Sequence, residues 1–264
     1  MRARAPLHMI KFLSAEWREL LEQNGLGNFE ALWNLDADWF EEPNRCRGGW
    51  SGVCRIELKR PDGGVCAAFL KRQHNHTRST LHHALKGEPT LQAEVRNIQR
   101  LAAQGIPTLE LLCHGQQACA NGRNALLLTK ELTGYQPLSD LISPERIQQL
   151  GIARRRAIAR AVADMVHKLH LSHLVHNCLY PKHVFVRLQD ERIDVRLIDV
   201  EKARIRRSAW RRTLRDLDSL NRRAPNVSRT DRLSFLLAYL RQSKLDRQAK
   251  KLWRRLAGRM NKGK

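Results

Sequence analysis

Paired cysteines, long apolar runs and acidic residues are all scarce in this 264-residue sequence. Its six cysteines (Cys46, Cys54, Cys66, Cys113, Cys119 and Cys178) form no C-x-x-C pair, which argues against a zinc site built on that spacing. No apolar run approaches the ~20 residues needed to span a bilayer, and the longest, around residues 235–240, is far too short. Residues 1–15 lack the sustained apolar core of a secretory leader. These absences predict a reduced, cytoplasmic protein. Internal repeats and low-complexity tracts are absent too.

Acids are outnumbered, 26 Asp and Glu against 48 Lys and Arg, which leaves a formal charge of +22. Such an excess points to an acidic partner: nucleic acid, anionic lipid or a phosphorylated substrate. The imbalance is concentrated in residues 201–264, which hold 21 Lys and Arg against 5 Asp and Glu. Nucleic acid is the weakest of the three candidates, because the chain has no recognition motif and no aromatic–glycine platform. Aromatics make up only 6% of the chain, yet three of the six tryptophans (Trp17, Trp33, Trp39) fall within the first 43 residues. Apolar content of 42% is that of a packed globular protein.

Periodicity divides the chain into three segments. Residues 15–35 read as helical with a break at Asn24-Gly25, so residues 1–43 form an N-terminal helical extension. Residues 44–133 read as strand-rich. Val53 to Leu58 alternates apolar with polar, Pro61-Asp62-Gly63-Gly64 is a turn, and Val65 to Leu70 is short and apolar, which together predict a hairpin. A basic, His-rich loop follows (His74, His76, His82, His83). Next come a helix over residues 90–104 and a second strand pair turning at Asn121-Gly122. Residues 134–264 read as mainly helical. Ser143-Pro144-Glu145 is a helix start, residues 158–169 carry an apolar stripe, and 184–186 with 195–198 suggest a small hairpin. Two helices close the chain, the first opening at Ser228-Arg-Thr-Asp231. Strands first and helices after, with one short connection near Glu131 to Gly134, is the layout of an α+β, bilobal protein-kinase-like fold.

The chemistry-bearing residues fit that layout. The run Leu174 to Val186 aligns with the phosphoryl-transfer loop H-R-D-L-x-x-x-N, with His176 and Leu179 matching. Asp199 ends an apolar strand (Arg-Leu-Ile-Asp), where such enzymes hold magnesium. Lys71 closes a short strand as a phosphate-binding lysine does, and Glu94 lies early in the following helix as its partner. Gly48, Gly49 and Gly52 precede the first strand of the hairpin at a distance suited to covering phosphates. Each has a plainer alternative: a turn for the glycines, a solvated strand end for Lys71, a surface acid for Glu94, a strand-end residue for Asp199. Their common order is what favours the catalytic reading.

With those residues in view, the chain resembles the bacterial lipopolysaccharide kinase (Kdo/WaaP) family, and in particular its InaA-like branch. The likeness is carried by Phe69-Leu70-Lys71-Arg72-Gln73, Glu94 to Ile98, Leu128-Thr129-Lys130-Glu131-Leu132, Tyr180 to Phe185 and Leu197-Ile198-Asp199, with Arg215-Asp216-Leu217 and Ser228 to Leu233 further on. The resemblance implies ATP and Mg2+ as cofactors. It implies nucleotide contacts from Gly48, Gly49, Gly52, Lys71, Glu94 and Glu131, catalytic roles at His176, position 178 and Asp199, and metal binding by His183 and Asp199. The implied acceptor is a sugar of the lipopolysaccharide inner core or another anionic envelope substrate. The implied setting is the cytoplasmic side of the inner membrane, with peripheral contact to its anionic surface.

Two positions depart from the pattern. Asn177 and Cys178 stand where active members carry arginine and the catalytic aspartate. A general base is typically worth ~10²–10⁴-fold, so two outcomes are open: a weakened kinase, or a nucleotide-binding pseudokinase with a regulatory or envelope-stress role. The basic stretch 241–259, with Leu245, Leu252, Trp253 and Leu256 among its charges, is expected either to lie on lipid headgroups or to pack on the helical half.

Overall fold

A computed structural model describes residues 9–46, 48–80, 83–189 and 192–260. These residues form two compact units. One runs through Ile98 and resumes over Leu109–Leu132; the other takes Gln99–Thr108 and the chain from Thr133.

The first unit is built on a six-stranded antiparallel sheet. In chain order its elements are β1 (Met9–Phe12), α1 (Ala15–Gln23), α2 (Phe29–Trp33), β2 (Trp39–Cys46), β3 (Gly49–Lys59), β4 (Val65–His74), β5 (Thr77–Thr80), β6 (His83–Pro89), α3 (Thr90–Ala103), β7 (Leu111–Cys119) and β8 (Gly122–Lys130). The sheet order is β1-β7-β8-β4-β3-β2, and β5 pairs only with β6. The predicted hairpin is β3–β4, in register from Trp50↔His74 to Lys59↔Val65. The second predicted pair is β7–β8, which closes at Cys119↔Gly122.

Alternation decides which face is covered. Cys54, Ile56 and Leu58 of β3 and Cys66, Ala68 and Leu70 of β4 are two apart along their strands and therefore share a face. That face is buried under Trp17, Leu20 and Leu21 of α1 and Phe29 and Leu32 of α2. The N-terminal segment is helical where expected, and it also supplies β1 and most of β2 to the sheet. Its helices break at Asn24, and they lie between two strands of the sheet and cover its core. Burying these apolar side chains stabilises the fold by roughly 1.5–3 kcal/mol each, more than a solvated appendage would gain. Arg72 fastens the cover: its Nη1 donates to the carbonyls of Trp33 (2.7 Å) and Leu35 (2.8 Å) at the end of α2, and its guanidinium lies 4.8 Å from the Trp39 ring. Part of the expected His-rich loop is likewise strand, in β5 and β6; His82 lies outside the described residues.

The second unit contains β9 (Gln136–Pro137), α4 (Leu138–Leu141), α5 (Pro144–Gln149), α6 (Ile152–Leu171), β10 (Leu174–Val175), β11 (Val184–Gln189), β12 (Arg192–Leu197), β13 (Arg204–Ile205), α7 (Ala209–Arg222), α8 (Arg229–Leu240) and α9 (Arg247–Met260). The apolar stripe of α6, Ile158, Val162, Met165, Val166 and Leu169, is buried as its spacing predicts. Ser143 and Ser228 cap α5 and α8, accepting from the N–H groups of Arg146 and Asp231. The short hairpin is β11–β12, and β9 adds a third strand to it.

His114 on β7 makes a prediction. Burial, reinforced by Lys11, holds its pKa below the ordinary histidine value, and burial acts in the same direction on His183. The unfolded chain therefore takes up protons near pH 6.5 that the native state does not, so stability is full above that pH and falls as pH drops through it. Urea midpoints at pH 7.5 and 5.5 should show this fall. His114→Gln should flatten it by up to about 1.4 kcal/mol per pH unit; an unchanged slope would rule the side chain out as a source.

Candidate active site

In the first unit, β4 and α3 are clasped at two points. Lys71 and Gln73, two apart, share one face of β4; Thr90 and Glu94, four apart, share one face of α3. Lys71 Nζ donates to Glu94 Oε2 at 2.7 Å. Gln73 Nε2 donates to Thr90 Oγ1 at 2.6 Å, and Gln73 Oε1 accepts the Leu91 N–H at 3.2 Å. Two strand residues advance about 6.6 Å and four helical residues about 6 Å, so both contacts close in one register. Glu94 is 5% exposed and Lys71 24%. The carboxylate is thus sheltered and the lysine half-buried.

The glycines are accounted for by backbone packing. Gly48 takes φ +76° in the tight turn joining β2 to β3. A side chain at Gly49 would strike the backbone of His74 and Asn75, and one at Gly52 would strike the Trp39 ring. Gly52 is therefore roofed by an indole. Glu131 is committed as well: Arg55 holds its carboxylate at 2.8 Å and 2.9 Å and keeps it below the usual carboxylate range. Its own N–H donates to the Ala67 carbonyl at 2.9 Å.

In the second unit, the loop from β10 to β11 is shaped by Asp216 of α7, a fully buried carboxylate. Oδ2 accepts the His176 N–H at 2.7 Å and Oδ1 accepts the Asn177 N–H at 2.9 Å. His170 of α6 lies 3.2 Å from Oδ2 through Nε2, and its Nδ1 lies 2.8 Å from the Tyr239 hydroxyl of α8. These contacts hold Asn177 at φ +66°, and its side-chain amide donates to the Lys202 carbonyl at 2.7 Å.

His176 Nε2 donates to the Ile198 carbonyl at 3.0 Å, which ties the loop to the residue before Asp199. The Ile198 N–H donates to the His183 carbonyl, also at 3.0 Å. Between these anchors Asp199 adopts a left-handed conformation, φ 53° and ψ 50°, which costs a non-glycine residue about 1–2 kcal/mol. Strain of this kind gathers at functional sites.

The ring of His183 is oriented by its other contact. Nδ1 lies 2.9 Å from the Cys178 carbonyl, which only accepts, so Nδ1 carries the proton. Nε2 then presents a lone pair to Asp199 Oδ2 at 3.3 Å. Burial disfavours the imidazolium despite the attraction of Asp199. A nitrogen lone pair facing a carboxylate oxygen fits a cation between them, and the donor types suit a divalent ion. Among the described residues no cluster of three or more His, Cys, Asp or Glu ligands occurs, so this pair would leave room for water and phosphate oxygens. The Cys178 side chain is buried, at 7% exposure.

A cavity of this unit lies elsewhere. It measures about 480 Å³, is lined mainly by apolar residues of α4 to α9, including Leu141, Val162, Leu220 and Phe235, and includes none of the loop residues.

This arrangement has known relatives. Residues 30–239 match the lipopolysaccharide kinase (Kdo/WaaP) family. The chain belongs to that family. It is 29% identical to Protein InaA of Escherichia coli (strain K12) over 182 residues, 67% of this chain and 79% of InaA. It is 25% identical to the lipopolysaccharide core heptose(I) kinase WaaP of the same strain over 170 residues, 60% of this chain and 64% of WaaP. Among solved structures, WaaP in complex with acyl carrier protein superposes with a TM-score of 0.65 at 23% identity, covering 96% of this chain and 95% of that one. The kinase-like α+β fold expected from the order of strands and helices is the fold observed.

Sequence reasoning missed Asp216 as the organiser of the loop. Its signal was an acid on the buried side of an amphipathic helix, beside Leu217 and Leu220. Asp216→Ala should destabilise the protein by about 3–5 kcal/mol, because two buried N–H groups lose their acceptor. Asp216→Asn, which keeps one acceptor oxygen, should cost less. Denaturant midpoints check both, and a loss below ~1 kcal/mol for the alanine variant would show that the loop is held by other contacts.

Proposed function

We propose that this chain catalyses ATP-dependent phosphoryl transfer to a hydroxyl of a lipopolysaccharide inner-core sugar, at a rate reduced by the thiol at position 178. The observation that carries the reading is the sheltered Lys71–Glu94 pair, taken with the His183–Asp199 pair of matched donor type. Phosphoryl transfer proceeds through a loose transition state stabilised mainly by position and charge, and these side chains supply both.

In this reading the Lys71 ammonium neutralises nucleotide phosphates while Glu94 keeps it extended from β4. The turn at Gly48 lies over the phosphates. His183 and Asp199 hold a divalent cation, which when bound neutralises charge on the phosphate oxygens. His176 positions Asp199 through the Ile198 carbonyl. The acceptor hydroxyl meets no carboxylate at position 178, and a neutral thiol accepts protons poorly. The protein works on the cytoplasmic side, peripheral to an anionic leaflet that matches its charge of +22.

ATP with Mg2+ should raise the melting temperature. The increment should vanish in Lys71→Ala and in Asp199→Asn, while Cys178→Asp should speed transfer to purified core oligosaccharide by ~10²–10⁴-fold. A native protein that gains stability from nucleotide yet transfers nothing, before and after Cys178→Asp, would be a pseudokinase.

One partner has an observation of its own in favour. The WaaP structure holds an acyl carrier protein, and the apolar 480 Å³ cavity of this chain suits an acyl chain. Acylated carrier protein should raise the melting temperature and the unacylated form should not; Val162→Trp, which fills the cavity, should remove the difference.

A further inference from the structure

The stretch from Lys202 to Arg212 carries six basic side chains and no acid. Two of the four large apolar groups that the second unit exposes among its described residues lie here, Ile205 at 58% and Trp210 at 44%; the other two, Ile152 and Leu171, belong to α6. Lys202, Arg204, Arg207 and Arg211 are exposed around them. The segment has a defined shape. Ile205 pairs with Leu174 across β10 and β13, the Arg206 N–H donates to the His173 carbonyl at 2.8 Å, and the buried Arg212 guanidinium donates to the carbonyls of Arg206 and Arg207. Ser208 caps α7 by accepting the Arg211 N–H, which sets Trp210 in the first turn of the helix.

α9, by contrast, has no apolar face to offer. Ala249, Leu252 and Leu256 are buried, Trp253 lines the cavity, and the exposed positions are Arg247, Gln248, Lys250, Lys251, Arg254, Arg255, Ala257 and Gly258, none of them a large apolar residue. Of the two outcomes expected for residues 241–259, packing on the helical half is the one observed.

We propose that the 202–211 surface docks the protein on an anionic bilayer, with Trp210 and Ile205 entering the headgroup region and the surrounding Lys and Arg pairing with lipid phosphates. Charge complementarity favours an anionic surface. The ordered, exposed indole and isoleucine favour a bilayer over nucleic acid, because Trp settles at the membrane interface and apolar area adds to the electrostatic attraction. The inference rests on the reading of the chain as peripheral to an anionic leaflet, and it names the surface responsible.

Co-sedimentation of the full chain with phosphatidylglycerol-containing vesicles tests it, with phosphatidylcholine vesicles as reference. Binding should require the anionic lipid and weaken with salt. Ile205→Ser with Trp210→Ser keeps every charge and should weaken binding roughly tenfold, as expected for withdrawing two half-exposed apolar groups from the interface. Neutralising Arg204, Arg207 and Arg211 to Gln should weaken it by about fivefold per charge. The α9 variant Lys250→Gln, Lys251→Gln, Arg254→Gln, Arg255→Gln should have the smaller effect. Trp210→Phe should retain binding and abolish a vesicle-induced blue shift of tryptophan emission. No binding of the native protein to anionic vesicles would overturn the peripheral reading itself. Binding that survives the Ile205/Trp210 double variant would overturn the surface alone. Tighter retention on single-stranded RNA than on vesicles, lost in the Arg→Gln variant and kept in the Ser double variant, would assign the patch to nucleic acid. Nucleotide-induced melting shifts are independent of all these outcomes.

Discussion

The buried carboxylate of Asp216 is the constraint on which the loop of the helical unit depends. A charge with no solvent exposure costs several kcal/mol to bury unless donors surround it. Here two backbone N–H groups and His170 do so. The donors come from α6 and the loop, the acceptor from α7, and Tyr239 of α8 completes the chain through His170. The loop is therefore shaped by the packing of three helices. What Asp216 holds at positions 176 and 177 is backbone, so side chains on the loop can change without undoing its path. Asn177 and Cys178 occupy the pattern's arginine and aspartate positions on a backbone still fixed by the same contacts.

The other unit obeys a comparable rule, with side-chain spacing in place of a buried charge. Strand and helix advance by nearly equal distances over two and four residues, so a lysine and glutamine on β4 meet a glutamate and threonine on α3 together. Gln73 serves α3 as a cap where its first turn lacks an acid. Lys71 is consequently held by more than its ion pair: moving it would unmake the start of the helix.

That spacing was legible in the sequence, as were the β3–β4 and β7–β8 hairpins and the stripe of α6, because each rests on a local period. The six-stranded sheet and the helices that follow it also appear in the order the periods imply. Residues that depend on long-range contact were harder to read. Two short strands flank the N-terminal helices, and only their pairing with β7 and β3 marks them as sheet. Gly52 reads as a phosphate-loop glycine until Trp39 is seen above it. Glu131 reads as a nucleotide contact until Arg55 takes its carboxylate. The helical period around Arg215-Asp216-Leu217 can place the aspartate on the buried side, but not say that it meets the backbone of residues 40 positions earlier.

The missing aspartate acquires a sharper meaning from these contacts. Other loop side chains have defined contacts: His176 donates to Ile198 through Nε2 while its Nδ1 is buried without a hydrogen-bond partner among the described residues, His183 donates to Cys178 and faces Asp199, and the Tyr180 ring lies beneath the Arg223 guanidinium, 3.8 Å from the ring centre. A loose phosphoryl-transfer transition state forms little bond to the acceptor, so its hydroxyl keeps its proton until late and base assistance matters less than charge and position. For a phosphoryl-transfer enzyme the aspartate replaced by Cys178 is therefore the smaller contribution, and charge and position are the larger.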